Sequence, residues 1–376
     1  MRTPEPTPGR GWSLSIGLAL GVALLAAALR FDAADRLPMD WDEYVTLRAA
    51  YVYAGHFDAG RVAAIPGVRI NNEHPPAAKI AYGLQLHGRE RPPIPPFHGR
   101  GQPVPEPLRD NVRTLRRMAA VAGAAEAGTL ALLQPGAGLW MAVQSYHTRY
   151  TAEVLLEAAA GFFAVWATVL FSLAWKPPAP NRDPELRWLP LLLSAAALGL
   201  AAASKYMYGL PAVFLLPFLL VRARRAGPVA AFVVVGAATF VAAHPGLWNQ
   251  PWALITQTLA FHREFATEHP APWWHPLALM GHLSHDDYHA SFFGFGSILD
   301  RAFLLFAVLG LPRTAARQPV WFTWALISVA FLLSWPTKWA HYQLLAVPPL
   351  AMCASSGVGT LFSSLRSLRR DRGVEP

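Results

Sequence analysis

Apolar blocks of membrane-spanning length, separated by short polar islands, constrain this chain more than any other feature of it. The first, Ser13 to Leu29, carries no charge and covers most of a bilayer core, which takes about 20 apolar residues. Further blocks run over residues 118–133, 152–174, 188–203, 206–221, 228–243, 296–311, 320–335 and 343–361. Backbone placed in lipid must satisfy its own hydrogen bonds, so the pattern predicts an all-α polytopic membrane protein. Residues 1–30 also fit a cleaved signal peptide, with Arg2 and Arg10 as its basic region. The run is longer than a typical signal core, and Arg30-Phe31-Asp32 crowds the cleavage point, so an uncleaved first span is expected.

Charge distribution sets the expected topology. The region 118–150 holds one span or two short ones, because Gln134-Pro-Gly-Ala-Gly138 interrupts it. Short loops bearing Lys and Arg stay cytoplasmic. With the N-terminus inside and two crossings over 118–146, four basic stretches all fall inside: Lys176 to Arg187, Arg222 to Arg225, Arg313 to Arg317 and Arg366 to Arg372. The expectation is about ten spans in a single domain over 1–376, with both termini cytoplasmic and no separate soluble domain. A long first outer loop covers 31–117 and a second covers 244–292. Proline density at Arg89-Glu-Arg-Pro-Pro-Ile-Pro-Pro96 excludes continuous helix, whereas Glu43 to Tyr53 and Pro76 to Leu86 have the spacing of short interfacial helices.

Composition removes other classes. Only 15% of residues are charged, against about 25% in soluble proteins. The net charge of +9 does not point to nucleic acid, since most arginines sit between apolar blocks or in the long first loop, without a basic-aromatic stripe. Cys353 is the sole cysteine, so neither a disulfide framework nor a cysteine zinc site is available.

On this topology the polar islands converge on the outer face: Asp40 to Glu43, Glu73 to Lys79, Tyr146 to Tyr150, Ser204 to Tyr206, His244 to Asn249 and Pro336 to Tyr342. Asp42 and Glu43 fit an ordinary helix start, where acids suit the positive end, as well as a catalytic pair. Lys79, Lys205 and Lys338 stand where apolar blocks meet the outer surface. Snorkelling explains them individually, and as a set they suit an anionic phosphate. Arg113, Arg116 and Arg117 share one helix face and fit lipid phosphates or a donor phosphate equally. The second outer loop carries His269, His275, His282, His285, Asp286, Asp287 and His289. His285 and His289, one helical turn apart with Asp286 beside them, are candidate metal ligands. The plainer reading, supported by Trp248, Trp252, Trp273 and Trp274, is a loop in the headgroup layer.

Asp42-Glu43 after the first span, followed by Glu73-His-Pro-Pro-Ala-Ala-Lys79, resembles the dolichyl-phosphate-mannose–protein mannosyltransferase family, of the GT-C type. Its members carry an Asp-Glu pair and a His-Pro-Pro-Leu-(Gly/Ala)-Lys stretch in these places, and the lipid A aminoarabinose transferases carry similar motifs. Ser204-Lys-Tyr206 and Lys338 through Pro349 resemble later motifs of these relatives more loosely. Ala77-Ala78 departs from the commoner Leu-Gly or Leu-Ala. The resemblance implies a GT-C-like fold and transfer of a sugar from a polyprenyl-phosphate donor to a glycan, lipid or protein acceptor at the outer face. It implies inverting single displacement, with Asp42 as base and Glu43 as its neighbour and orienter. Lys79, Lys338, Arg149 and Lys205 would hold the donor phosphate, and Asp40, His74, His341 and Tyr342 would contact substrate. No cofactor is implied firmly, and a divalent metal stays open. The expected location is a cell membrane, the bacterial inner membrane or its equivalent, with membrane lipids as neighbours. Two other readings are a transporter or flippase of lipid-linked sugars and a non-catalytic membrane subunit. Transporters place ions near the midplane on broken helices, whereas the ionisable residues here sit at span ends.

Overall fold

The computed structural model describes residues 8–96, 99, 101–175, 185–280 and 296–371, and among these the regular structure is helical apart from one isolated bridge between Trp175 and Leu186. The helices are α1 (Pro8–Arg36), α2 (Trp41–Asp58), α3 (Ala77–Gln85), α4 (Arg109–Leu133), α5 (Pro135–Val143), α6 (Ser145–Tyr150), α7 (Glu157–Leu173) and α8 (Trp188–Ser204). After them come α9 (Ala212–Ala223), α10 (Ala226–Ala242), α11 (Gly246–Asn249), α12 (Pro251–Glu268), α13 (His275–Met280), α14 (Gly296–Arg317), α15 (Pro319–Ser334) and α16 (Val347–Asp371).

Two segments, Ser15–Arg36 and Tyr206–Ala223, are each long and apolar enough to cross a membrane, and α7, α8, α10 and α15 are shorter apolar helices. Large apolar side chains face outward along several of them: Leu20 and Leu24 on α1, Leu189 on α8, Val221 on α9, Val234 on α10 and Leu326 on α15. An outer surface of this kind, spread over several helices, suits lipid rather than water. Inside, small residues let helices meet closely, as expected where hydrophobicity does not distinguish lipid from protein. Gly310 of α14 lies against the backbone of Cys353 and Gly357 on α16, and Gly357 lies against Phe306. Any Cβ at either glycine would overlap main chain, so this crossing depends on glycine.

The region 118–150 runs the length of the bundle and returns. Arg116, near the start of α4, bonds to Glu43 and the carbonyl of Pro38. At the other end Gln134 donates to Ser355 at 2.7 Å and accepts from Gln318 at 3.2 Å. The chain then comes back through α5 and α6, and the Val154 amide reaches Glu43 again at 2.7 Å. The return leg is two short helices because Gln134 and Gln144 both take extended backbone, and the Gln144 side chain caps α6 by accepting from the His147 amide.

Most sequence-level boundaries agree with these elements, and two are moved. Arg313 to Arg317, expected as a loop, continues α14 through Pro312 as its last turn. Of Arg113, Arg116 and Arg117, expected to share one helix face toward lipid or donor phosphate, Arg116 points instead into the protein, while Arg113 and Arg117 are exposed. Arg113 pairs with Asp35 at 2.8 Å and Arg116 is 1% exposed. The short helices expected over Glu43 to Tyr53 and Pro76 to Leu86 are present as α2 and α3. Of the basic stretches, Arg222 stacks over Trp175 at 4.8 Å, and Arg313 lies beside Gly359.

Candidate active site

The α2 helix begins with Asp40-Trp-Asp-Glu43, and its start is held by a reciprocal cap. Asp40 accepts from the Asp42 amide at 3.0 Å, while its own amide donates to Glu43 at 3.1 Å. A cap of this kind satisfies the orphan donors of the first turn and fixes the direction of each side chain. Asp42 is thereby turned into a cavity of about 560 Å³, its side chain 47% exposed. Glu43 is turned the other way and is fully buried. Its two oxygens accept from Arg116 Nε at 2.8 Å and Nη2 at 2.6 Å, and one also accepts from Val154. This corrects its expected place in a catalytic pair. Glu43 does not line the cavity, and it ties α2 to α4 and to the 151–156 segment.

The cavity is built where α2, α6, the start of α7, the end of α8, α12 and the 336–342 segment meet. Of the expected residues it brings together Asp40, Asp42, His74, Arg149, Lys205, Lys338, His341 and Tyr342. Arg149 sits between Glu153 at 3.1 Å and Asp40 at 4.0 Å, with its guanidinium 4.9 Å from the Tyr150 ring. Lys205 pairs with Glu157 and lies 5.0 Å from the Tyr342 ring. Lys338 lines the wall while its ammonium donates to the carbonyls of Leu332 at 2.7 Å, Leu333 at 3.0 Å and Trp335. It therefore caps the end of α15, where the helix dipole favours a cation.

Lys79 is a second correction. Its ammonium is 1% exposed, lies outside the cavity lining, and donates to Asn71 O at 2.6 Å, His74 O at 2.8 Å and Asn71 Oδ1 at 3.2 Å. Burial lowers its pKa to about 7. In this geometry Lys79 latches the 70–74 loop, which in turn presents Glu73 and His74 to the cavity, and it does not face a phosphate there.

Burial, with the charge of Lys205 next in effect, pushes the His74 imidazole well below its usual range. His341 is lowered to about 3, chiefly by burial, and is therefore neutral. Its ring bridges two carboxylates, with Nδ1 3.6 Å from Asp42 and Nε2 3.4 Å from Glu157. The α12 helix covers one side with Phe261, His262 and Phe265, fastened to the 72–73 backbone by Thr258 at 3.3 Å and His262 at 3.2 Å.

Glu157 is the main residue that the sequence reading missed. It fell inside the apolar block 152–174 and was absorbed as part of a span. An acid within such a block is itself a signal, since ionisable residues there carry a cost that function usually explains. The candidate metal ligands His285, Asp286 and His289 lie outside the described residues. His269 and His275 line the cavity, and among the described residues no group of three or more His, Cys, Asp or Glu is arranged to hold a metal.

No protein-family model and no curated protein sequence matches the chain. Solved structures do. ArnT from Cupriavidus metallidurans in the apo state superposes with a TM-score of 0.58 over 94% of this chain, at 16% identity. The same protein bound to undecaprenyl phosphate gives 0.56 over 93%, again at 16% identity. The chain spans 60% of the length of either structure. The fold is thus similar to that of ArnT, in keeping with the fold that the motif resemblance implied. A fold of this type and the outward apolar surface of several helices suit a chain placed in a membrane.

Proposed function

We propose that this chain is a membrane glycosyltransferase that takes a sugar from a polyprenyl-phosphate donor and passes it to an acceptor hydroxyl at the outer membrane face. The observation that carries the reading is the cavity, which sets Asp42, its most exposed carboxylate beside His341, against buried cations and aromatic rings within an ArnT-like fold. A related fold holds undecaprenyl phosphate, which supports a lipid-linked donor for this one.

In the proposed step Asp42 takes the proton of the acceptor hydroxyl as its oxygen bonds to the anomeric carbon. The bond from that carbon to the phosphate oxygen breaks, and its electron pair leaves with the polyprenyl phosphate. One base on one face gives inversion and needs no covalent intermediate. Lys205 and Arg149, already buried and fixed by Glu157 and Glu153, are preorganised donors toward the leaving phosphate. His74 and Tyr342 complete that wall. Lys338 shapes the site through the end of α15 and contributes charge at longer range. The basic stretches of the sequence support an outer-facing site with about ten crossings and both termini cytoplasmic.

The test uses membranes with and without the protein, supplied with labelled undecaprenyl-phosphate hexoses and pentoses. Label leaving the lipid fraction only when the protein is present is expected. No transfer from any of these donors would overturn the proposal.

A further inference from the structure

Between Asp42 and Glu157, the two carboxylates nearest the cavity floor, stands a single imidazole. We infer that His341 is a positioning residue which, with its proton on Nε2 facing Glu157, presents the Nδ1 lone pair to Asp42 and so favours the protonated form of that base. The inference rests on the role of Asp42 proposed above and adds a second residue to it.

The geometry supplies the argument. Neutral imidazole has one N–H and one lone pair, and here each ring nitrogen faces a carboxylate. Only one of the two contacts can be a donated hydrogen bond. Glu157 has a side chain 2% exposed and keeps its charge beside Lys205, whereas the Asp42 side chain is 47% exposed and shares its charge with solvent. An N–H is stabilised more by the dry anion than by the hydrated one, so the proton belongs on Nε2. Both separations exceed the 2.7–3.2 Å of a closed N–H···O bond, and the shorter of the two, 3.4 Å, is the one to Glu157.

That arrangement is unfavourable to Asp42 while it is ionised and favourable once it is protonated. When Asp42 has taken the acceptor proton, its O–H can close on Nδ1. The hydrogen bond therefore exists in the product of proton transfer and partly in the transition state, and it is absent beforehand. Interactions of that kind raise turnover rather than substrate binding. The proton stays on Asp42 until water removes it from the exposed edge, so no charge moves onto His341. Other groups facing the ring are Arg149 and Tyr150 from α6, Lys205 beyond α8, His74 from the loop and Tyr342 beside it. The nearby cations oppose protonation of the imidazole, which keeps the lone pair available.

Two measurements test this. Nitrogen-15 spectra of the full chain in bilayers, with histidine labelled and His341 assigned from a His341→Asn sample, should show a neutral Nε2–H tautomer between about pH 5.5 and 7.5, one unit either side of an ordinary histidine pKa. An Nδ1–H tautomer or an imidazolium overturns the inference, whether or not the chain transfers sugar. In the transfer assay, His341→Leu should lower kcat about 3- to 10-fold, the effect of one hydrogen bond, and shift the acid limb of the pH profile to lower pH. His341→Asn, which keeps an acceptor near Asp42, should restore the limb toward its parental position. Binding of undecaprenyl phosphate alone should change less than about threefold in both, by the same reasoning on uniform binding. A change confined to that binding, with the limb unmoved, overturns the inference. A wild-type protein inactive with every donor overturns the glycosyltransferase reading instead, and leaves the tautomer result to decide this one.

Discussion

Replacing Glu43 by glutamine tests whether this acid works by structure or by chemistry. The carboxylate accepts four hydrogen bonds: from Arg116 Nε at 2.8 Å, Arg116 Nη2 at 2.6 Å, the Val154 amide at 2.7 Å and the Asp40 amide at 3.1 Å. A glutamine amide keeps one oxygen. Whichever way it turns, its NH2 meets two donors, one from Arg116 and one from backbone. It also leaves a guanidinium that is 1% exposed without its counter-charge. Removing one partner of a buried ion pair costs about 3–5 kcal/mol. At about 1.4 kcal/mol per tenfold, that shifts the folded-to-unfolded ratio by roughly 200- to 5,000-fold. Denaturant titration in mixed micelles, followed by size exclusion, should register the loss. Arg116 also donates to the carbonyls of Ala34 at 2.9 Å and Leu37 at 2.7 Å, so Arg116→Gln is costly in its own right. The two costs should not add, and the double variant should be more stable than their sum predicts by at least about 1 kcal/mol. Turnover per folded molecule should fall less than about tenfold, well short of what loss of a general base produces. A Glu43→Gln protein as stable as its parent, or costs that simply add, would refute the structural role.

Asp42→Asn should lower turnover by about 100- to 10,000-fold with undecaprenyl phosphate binding retained; near-parental turnover would remove Asp42 as base. Asp40→Asn should cost far less, because asparagine caps a helix about as well as aspartate and the α2 start survives. Buried His74 and His341 both have folded pKa values depressed below the usual 6.5. The unfolded chain therefore takes up protons that the folded one refuses, and stability is lost as pH falls from about 6.5 toward 3. Heat resistance in detergent should drop over that range, and the drop should be smaller in His341→Asn; an unchanged slope counts against it. Cys353 is the only cysteine and is buried, so cysteines introduced at Gly227 and at Arg89 can be labelled over a low background. They should react from opposite sides of the membrane, and labelling of both from one side would sink the topology.

The apolar blocks made the all-helical fold readable in the sequence, because backbone placed in lipid has few alternatives to helix. Charge also favoured two passes through 118–150, and the contacts of Gln134 and Val154 with opposite ends of the bundle agree. The motif around Asp42 was legible for a local reason: an acid at a helix start has a predictable direction once its cap is known. What each other charged residue does was not legible. Lys79 and Lys205 look alike in the sequence, each at the edge of an apolar run. Yet one is consumed by the carbonyls of its own loop and the other meets Glu157 at the cavity. Asp42 and Glu43 are adjacent, but the rotation of about 100° per helical residue sends them to different sides, toward the cavity and toward Arg116. A buried charge takes its role from the partner that balances it. For Glu43 that partner lies 73 residues away and for Lys205 it lies 48 away, so only the tertiary structure could assign it.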